Sequence, residues 1–388
     1  MSSLIFIPSY LVLDSSILDK KCNDLSNDHQ SNYFNLNLKA SAETKIISGV
    51  PFHDQINDYY CGPACLEMVF DFYGPDIPQP EIADVARTVG AGTFTDDMRR
   101  ASHFSNLSTS VGNGMPTNIT GYSNRDFGYI AFEDYISNVQ ILKNMIDAGY
   151  PIIVLQWMDD AKVYGHFRVV IGYIIENKEI THFITHDPWK GSNYKMDYNY
   201  FMDLWEYSGY WALFTRPLEV ILSYPSSVQP NITFTITASI NYLCPFYSSP
   251  IYDYIATSCN ATIKLPNEFY LAPGETYTKS LNSGTILGGS TNIITWDLIA
   301  NQSEISGIVS VSACGLINGS TYDHLPTQYP GYDYTDLIYG EGTILVMNVE
   351  GPDLIIIVFW IILISAVTIV AVVIIRYVII PKVVRKQD

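Results

Sequence analysis

One stretch constrains this chain more than any other: Gln55 to Met68, QINDYYCGPACLEM. From Cys61 onward, apolar residues recur at Cys61, Ala64, Cys65, Met68, Val69 and Phe72. That recurrence is one face of a helix. Pro63 suits a first helical turn, where its missing N–H costs nothing, and Gly74 and Pro75 stop the helix. Cys61 is therefore expected at a helix N-terminus. Unpaired N–H groups and the helix dipole there favour a thiolate over a thiol. Cys61 also reads as a small core residue and Gln55 as an ordinary loop residue, so the rest of the chain must decide between the two.

The rest of the chain adds a pattern. After the Cys61 helix, helices are expected over Pro80 to Val89, Thr95 to Phe104 (with Thr95 as N-cap) and Glu133 to Ala148. Apolar runs then read as strands: Pro151 to Gln156, GHFRVVIGYI over Gly165 to Ile174, and Ile180 to Thr185 after a polar turn. A helix near Tyr200 to Tyr207 and a strand near Tyr210 to Thr215 close the region. Helices come first and an antiparallel sheet second.

The Gln55…Cys61-Gly62-Pro63-Ala64 spacing, followed by Gly165-His166 and Asp187-Pro188, resembles the papain-like cysteine peptidases. It is most similar to the branch of the bacteriocin-processing (double-glycine leader) peptidases. The resemblance covers Gly49 to Pro217. It implies Cys61 as nucleophile, His166 as general base and acid, Asp187 as the group orienting the imidazole, and Gln55 as an oxyanion-hole donor. Those roles make chemical sense, because a thiolate forms a thioacyl intermediate and an amide N–H can hold the developing oxyanion. His186, beside Asp187, is the runner-up for the base, and His182 and His53 also compete. No His/Cys spacing suits a metal and no Gly-rich phosphate motif occurs, so neither metal nor cofactor is expected, nor an ATP-binding domain.

With 388 residues the chain has room for two domains and a tail, and a net charge of −18 argues against nucleic acid as a partner. From Leu218 to Gly351 short runs alternate apolar and polar residues, as in ITFTITASI, NIITWDLIA and GIVSVSA. This pattern is expected of an antiparallel sandwich. The segment LPNEFYLAPGETYTKSL with GGSTNIITWDLIA resembles the immunoglobulin-like stalk domains of archaeal and bacterial surface proteins. Such a domain is either a spacer or a binding module. Trp296 is expected in its core, and an exported setting allows one disulfide among Cys244, Cys259 and Cys314, with the pair unassigned.

No charged residue occurs from Leu354 to Ile375, and Arg376, Lys382, Arg385 and Lys386 follow. At ~1.5 Å per residue this run is long enough for a bilayer core of ~30 Å. The expectation is a single C-terminal transmembrane helix with a cytoplasmic basic tail and the bulk outside the cell. Leu4 to Leu13, with Pro8 and Tyr10, makes only a weak or truncated export signal, and without one the bulk would lie in the cytoplasm. Sequons at Asn106, Asn118, Asn231, Asn260, Asn301 and Asn318 agree with the outside placement.

The expected fold class is thus an α+β papain-like domain, an all-β immunoglobulin-like sandwich and one membrane helix. The expected segments are 1–45 (linker or propeptide-like lead-in), 46–217, 218–351, 352–380 and 381–388. The expected activity is hydrolysis of peptide bonds in a peptide or protein substrate at a membrane surface. The alternatives are a catalytically inactive binding or adhesion protein, and a transamidase using the same Cys–His chemistry.

Overall fold

In the computed structural model the described residues are 42–74, 76–104, 122, 128–136, 138–244, 251–301, 308–318, 335–344, 348–349 and 362–364. The first strand, β1, spans Glu43–Ile46, and helix α1 spans Cys61–Tyr73. Every residue of α1 from Cys61 to Phe70 is buried, so this helix is the spine of its region rather than a surface layer. Gly62 in its first turn is closely packed: a Cβ there would lie 2.8 Å from Met98 Sδ and 2.9 Å from Thr93 Oγ1, so those side chains would have to move. Truncating buried α1 side chains such as Leu66 or Phe70 to Ala is expected to cost about 2–5 kcal/mol.

Helices α2 (Gln79–Val85) and α3 (Thr95–Ser102) follow. Both end earlier than the sequence suggests, since Arg87 turns the chain with a φ of 49° after α2 and His103 caps α3. Thr95 is the first helical residue, and Phe94 occupies the N-cap position with no side-chain hydrogen bond.

The expected single helix from Glu133 to Ala148 is two elements. Tyr129–Tyr135 is strand β2, and α4 is Val139–Asp147. The Asn138 side chain starts α4 by accepting from Gln140 N at 2.9 Å. β2 is held by a partner far along the chain, the strand β7 (Trp211–Pro217), in the register Tyr129↔Pro217 to Tyr135↔Trp211.

The remaining strands of this sheet are β3 (Ile152–Trp157), β4 (Gly165–Glu176), β5 (Glu179–Asp187) and β6 (Gly191–Asp197). The order is β2-β7-β3-β4-β5-β6, with β1 also paired to β4. Helix α5 (Tyr198–Trp205) starts at Asp197, whose side chain accepts from Asn199 and Tyr200 N–H groups. β4 is buried from His166 to Ile174, so whatever it carries is placed in the interior.

Beyond β7 the short strands β8 (Glu219–Ser223), β9 (Ser227–Val228) and β10 (Thr233–Asn241) lead to β11 (Ile251–Lys264). Then come β12 (Phe269–Leu271), β13 (Thr278–Ser280), β14 (Thr285–Gly288), β15 (Thr291–Ala300), β16 (Val309–Asn318), β17 (Thr335–Ile344) and β18 (Asn348–Val349). One sheet has the order β12-β15-β10-β8 and the other β13-β11-β16-β17, with β14 also on β11. Trp296 is fully buried, and its indole N–H donates to Thr276 O at 2.9 Å. Cys259 and Cys314 are free thiols. These sheets contact the first region through Leu218 N to Tyr339 O at 2.9 Å, Tyr339 N to Gly128 O at 2.8 Å, and the Phe132 and Tyr242 rings 5.5 Å apart.

The expected fold class is corrected here. The structure shows extensive antiparallel sheets with short helices, and among the described residues no helix is long and apolar enough to cross a membrane. Of the run Leu354–Ile375, only Ile362, Leu363 and Ile364 are described, as helical residues with exposed side chains, and the rest lies outside the described residues. The immunoglobulin-like label gives way to the two antiparallel sheets as ordered above. Of the expected lead-in, residues 1–41 with Cys22 lie outside the described residues, while 43–45 belong to β1. The sequons at Asn106, Asn118 and (for its side chain) Asn318 also lie outside them.

Candidate active site

Cys61 sits at the first position of α1, with Tyr60 as N-cap and Ala64 N donating to Tyr60 O at 2.9 Å. His166 enters near the start of β4, opposite Gln156 of β3. Asp187 is the last residue of β5, just before Pro188 turns the chain into β6. The structure brings these three together. His166 Nε2 lies 2.7 Å from Asp187 Oδ1, and the imidazole stands close enough to Cys61 to pull the thiol pKa down. With Nε2 donating to the carboxylate, Nδ1 is the nitrogen left for the thiol.

The electrostatics favour charge separation. Burial raises the Cys61 pKa, but the hydrogen bond and charge of His166, with backbone hydrogen bonds at Phe167 and Gly62, outweigh it and pull the thiol below its ordinary value. Burial lowers the His166 pKa, but its hydrogen bonds to Asp187 and Cys61 bring it above the ordinary value. Asp187 is fully buried, which raises its pKa. The hydrogen bond and charge of His166, the Arg168 charge and the Trp189 N–H hold it well below the carboxylate range all the same. The arrangement suits a thiolate–imidazolium pair oriented by a permanent carboxylate.

Asp187 has more partners than the sequence suggested. Its Oδ1 also accepts from Trp189 N at 2.9 Å and Lys190 N at 3.0 Å, and its Oδ2 accepts from Arg168 Nε at 2.7 Å. Arg168 is 1% exposed and spends its other donors on Gln156 Oε1 at 3.0 Å, Trp157 O at 3.0 Å and Met158 O at 2.6 Å. Sequence reasoning passed over Arg168. The signal was present, since it stands two residues after His166 in an otherwise apolar strand, on the same face.

Gln55 lies beside this group through its backbone, whose N–H donates to Pro188 O at 3.1 Å. Its side-chain Nε2 donates to Asn57 O at 2.6 Å, which leaves one amide hydrogen. Among the described residues no hydrogen bond joins Gln55 to Cys61, His166 or Asp187. The loop that carries it is clamped by Gln79, also missed from sequence. Gln79 accepts from Ile56 N at 3.0 Å and donates to Asp54 O at 2.8 Å and to Glu67 Oε2 of α1 at 2.7 Å.

The competing histidines are occupied elsewhere. His186 accepts from Asn193 N at Nδ1 (3.2 Å), and its Nε2 faces Val50 O at 3.1 Å. Its pKa is lowered by burial. His182 contacts Thr181 Oγ1, and His53 pairs with Asp71 at 3.0 Å. Among the described residues, His53, Glu67 and Asp76 bring three ligand-type atoms within 4.8 Å of one another. In that group His53 is already paired with Asp71 and Glu67 with Gln79. Exposed apolar side chains stand within three residues of the site residues in sequence: Ile56 and Tyr59, Val163 and Tyr164, and Trp189.

Residues 47–213 match the Peptidase_C39 like family. The match supports a papain-like cysteine peptidase fold for this C39-like region, and all four candidate residues fall inside it. Among solved structures, the peptidase domain of Streptococcus ComA, a bifunctional ABC transporter of a quorum-sensing pathway, is 20% identical. That alignment covers 44% of this chain and 99% of the other, with a TM-score of 0.32. A putative C39-like peptidase from Bacillus anthracis is 18% identical over 45% of this chain and 97% of its own, with a TM-score of 0.31. A cohesin module of a Clostridium perfringens family 33 glycoside hydrolase is 11% identical over 35% and 98%, with a TM-score of 0.19. No curated protein matches the chain.

Proposed function

We propose that the C39-like region is a cysteine peptidase that hydrolyses peptide bonds through a thioacyl intermediate on Cys61. One observation carries this reading: a Cys61 thiol at a helix N-terminus, beside an imidazole that lowers its pKa and whose Nε2 is held by Asp187 at 2.7 Å. The Cys61 thiolate attacks the carbonyl carbon, and the oxyanion takes the free amide hydrogen of Gln55 and an N–H of the first turn of α1. His166 gives its Nδ1 proton to the leaving amine. It then takes a proton from the water that attacks the thioester, and the thiolate is regenerated. The exposed apolar side chains at Ile56, Tyr59, Tyr164 and Trp189 suit contact with a peptide's own apolar side chains.

The test is covalent capture of the full chain with a peptide-like electrophilic thiol probe, located by peptide mapping. Cys61 is expected to react faster than thiols of the unfolded chain, and to do so below the pH at which an ordinary thiol ionises. Reaction of Cys61 no faster than the unfolded chain would show a binding protein rather than an enzyme. Added amine appearing in the products of a cleaved peptide would show transfer rather than hydrolysis.

A further inference from the structure

Arg168 is a buried cation that the chemistry of Cys61 and His166 does not require. A guanidinium in the interior is costly unless its donors are met. Here Nε meets Asp187 Oδ2, Nη1 meets Gln156 Oε1 and Trp157 O, and Nη2 meets Met158 O. The acceptors come from the end of β5, from within β3, and from the residues at and just after the end of β3. The fork therefore fixes the one carboxylate oxygen that His166 and the turn N–H groups leave open.

We propose that Arg168 is a positioning residue that locks the Asp187 carboxylate in plane and, through it, aims the His166 imidazole at Cys61. This rests on the reading of Cys61 as the nucleophile. With both oxygens bound, the carboxylate cannot rotate, and the His166 ring cannot turn without breaking a buried charge-assisted hydrogen bond. A lysine in the same place is a point charge and reaches only some of the four acceptors. The charged and titratable groups that act on the pair are Cys61 and Cys65 on α1, Asp187 on β5 and Arg168 itself, and Tyr200 of α5 feels the Arg168 charge. Arg168 acts on His166 in two senses. Its charge directly opposes protonation of the imidazole, while its hold on Asp187 favours it. The proposal is that the hold dominates.

The experiment is alkylation of the full chain by iodoacetamide across pH, followed at the Cys61 peptide. The thiolate sulfur displaces iodide and forms a C–S bond, so the rate reads the thiolate directly. In Arg168→Met the acid limb of the Cys61 rate is expected to move up by about one pH unit or more, with a roughly tenfold fall at pH 6. Arg168→Lys is expected to fall between this variant and the wild type. A purely structural role would lower the melting temperature without moving the acid limb of the folded protein. An unmoved limb in folded Arg168→Met therefore overturns the proposal while leaving Cys61 as nucleophile. Where Arg168→Met does not fold, Arg168→Lys decides, and a profile indistinguishable from the wild type overturns the fork argument. A wild-type Cys61 no more reactive than the unfolded chain overturns both readings together.

Discussion

Two buried polar clusters stand in the C39-like region, and they treat charge in opposite ways. Around Cys61, His166, Asp187 and Arg168 the carboxylate is held well below its ordinary pKa and the thiol is pulled down. Around α3 and β2, burial pushes Asp96 up to about 6, with the Glu133 charge adding to it, and burial also raises Asp97. In the same cluster burial lowers the Arg100 pKa and pulls His103 down to about 3. That second cluster has ion pairs too: Arg99 with Glu133 at 2.9 Å, Arg87 with Asp97 at 3.2 Å and Arg100 with Asp97 at 3.3 Å. Burial is common to both, so burial does not decide the sign. At Asp187 burial is outweighed by the hydrogen bond and charge of His166, the Arg168 charge and the Trp189 N–H. Asp187 accepts from four groups in fixed positions. Cys65 makes the same point on one helix. It lies a turn from Cys61, and burial together with the charges of Cys61 and Asp187 raises its thiol pKa well above the ordinary value.

The largest test of this contrast is His166→Ala. Removing the base is expected to slow amide hydrolysis by about 10²–10⁴-fold and to return the pH profile of Cys61 alkylation to that of an ordinary thiol. A retained low-pH reactivity would show that the helix terminus alone activates the thiol. Gln55→Ala comes next, with an expected loss of about 10²–10³ in hydrolysis and an unchanged alkylation rate at Cys61. The split matters, because alkylation forms no oxyanion. The smallest effect sharpens the other side of the comparison. The Asp96 pKa is raised in the folded state, so its contribution is fully present below about pH 4 and is lost as pH rises through about 6. Asp96→Asn is therefore expected to raise stability at pH 7, by at most about 3 kcal/mol, with no gain at pH 4. Thermal melts at the two pH values check it. An equal gain at both would mean that ionisation of Asp96 is not what strains the α3 cluster.

How much of this was legible depended on whether the signal was local. The α1 helix was readable because its start residues, apolar spacing and stop all lie in one short window. His166 and Asp187 were readable as neighbours of Gly165 and Pro188, and the structure does bring them to Cys61. The last residues of β2, Glu133 to Tyr135, were read as part of the α4 helix, because the partner that makes them a strand, β7, is remote in sequence. Gln79 and Arg168 were missed for a related reason. Each acts on groups far along the chain, and each looks ordinary in its own surroundings. For Gln55 the sequence suggested a donor, and the structure adds the clamp that holds its loop.

The β5–β6 turn has a further consequence, for engineering and for the order of assembly. Asp187 accepts at once from His166 and from the N–H groups of Trp189 and Lys190. Closing this hairpin and completing the catalytic constellation are therefore a single event. Surface hairpins are usually the safest places to insert residues or open new termini. Here a residue added between Pro188 and Gly191 would leave the core intact and still disconnect the carboxylate from the backbone that fixes it. The silenced protein would be folded, and its lesion would lie outside every residue that takes part in the chemistry.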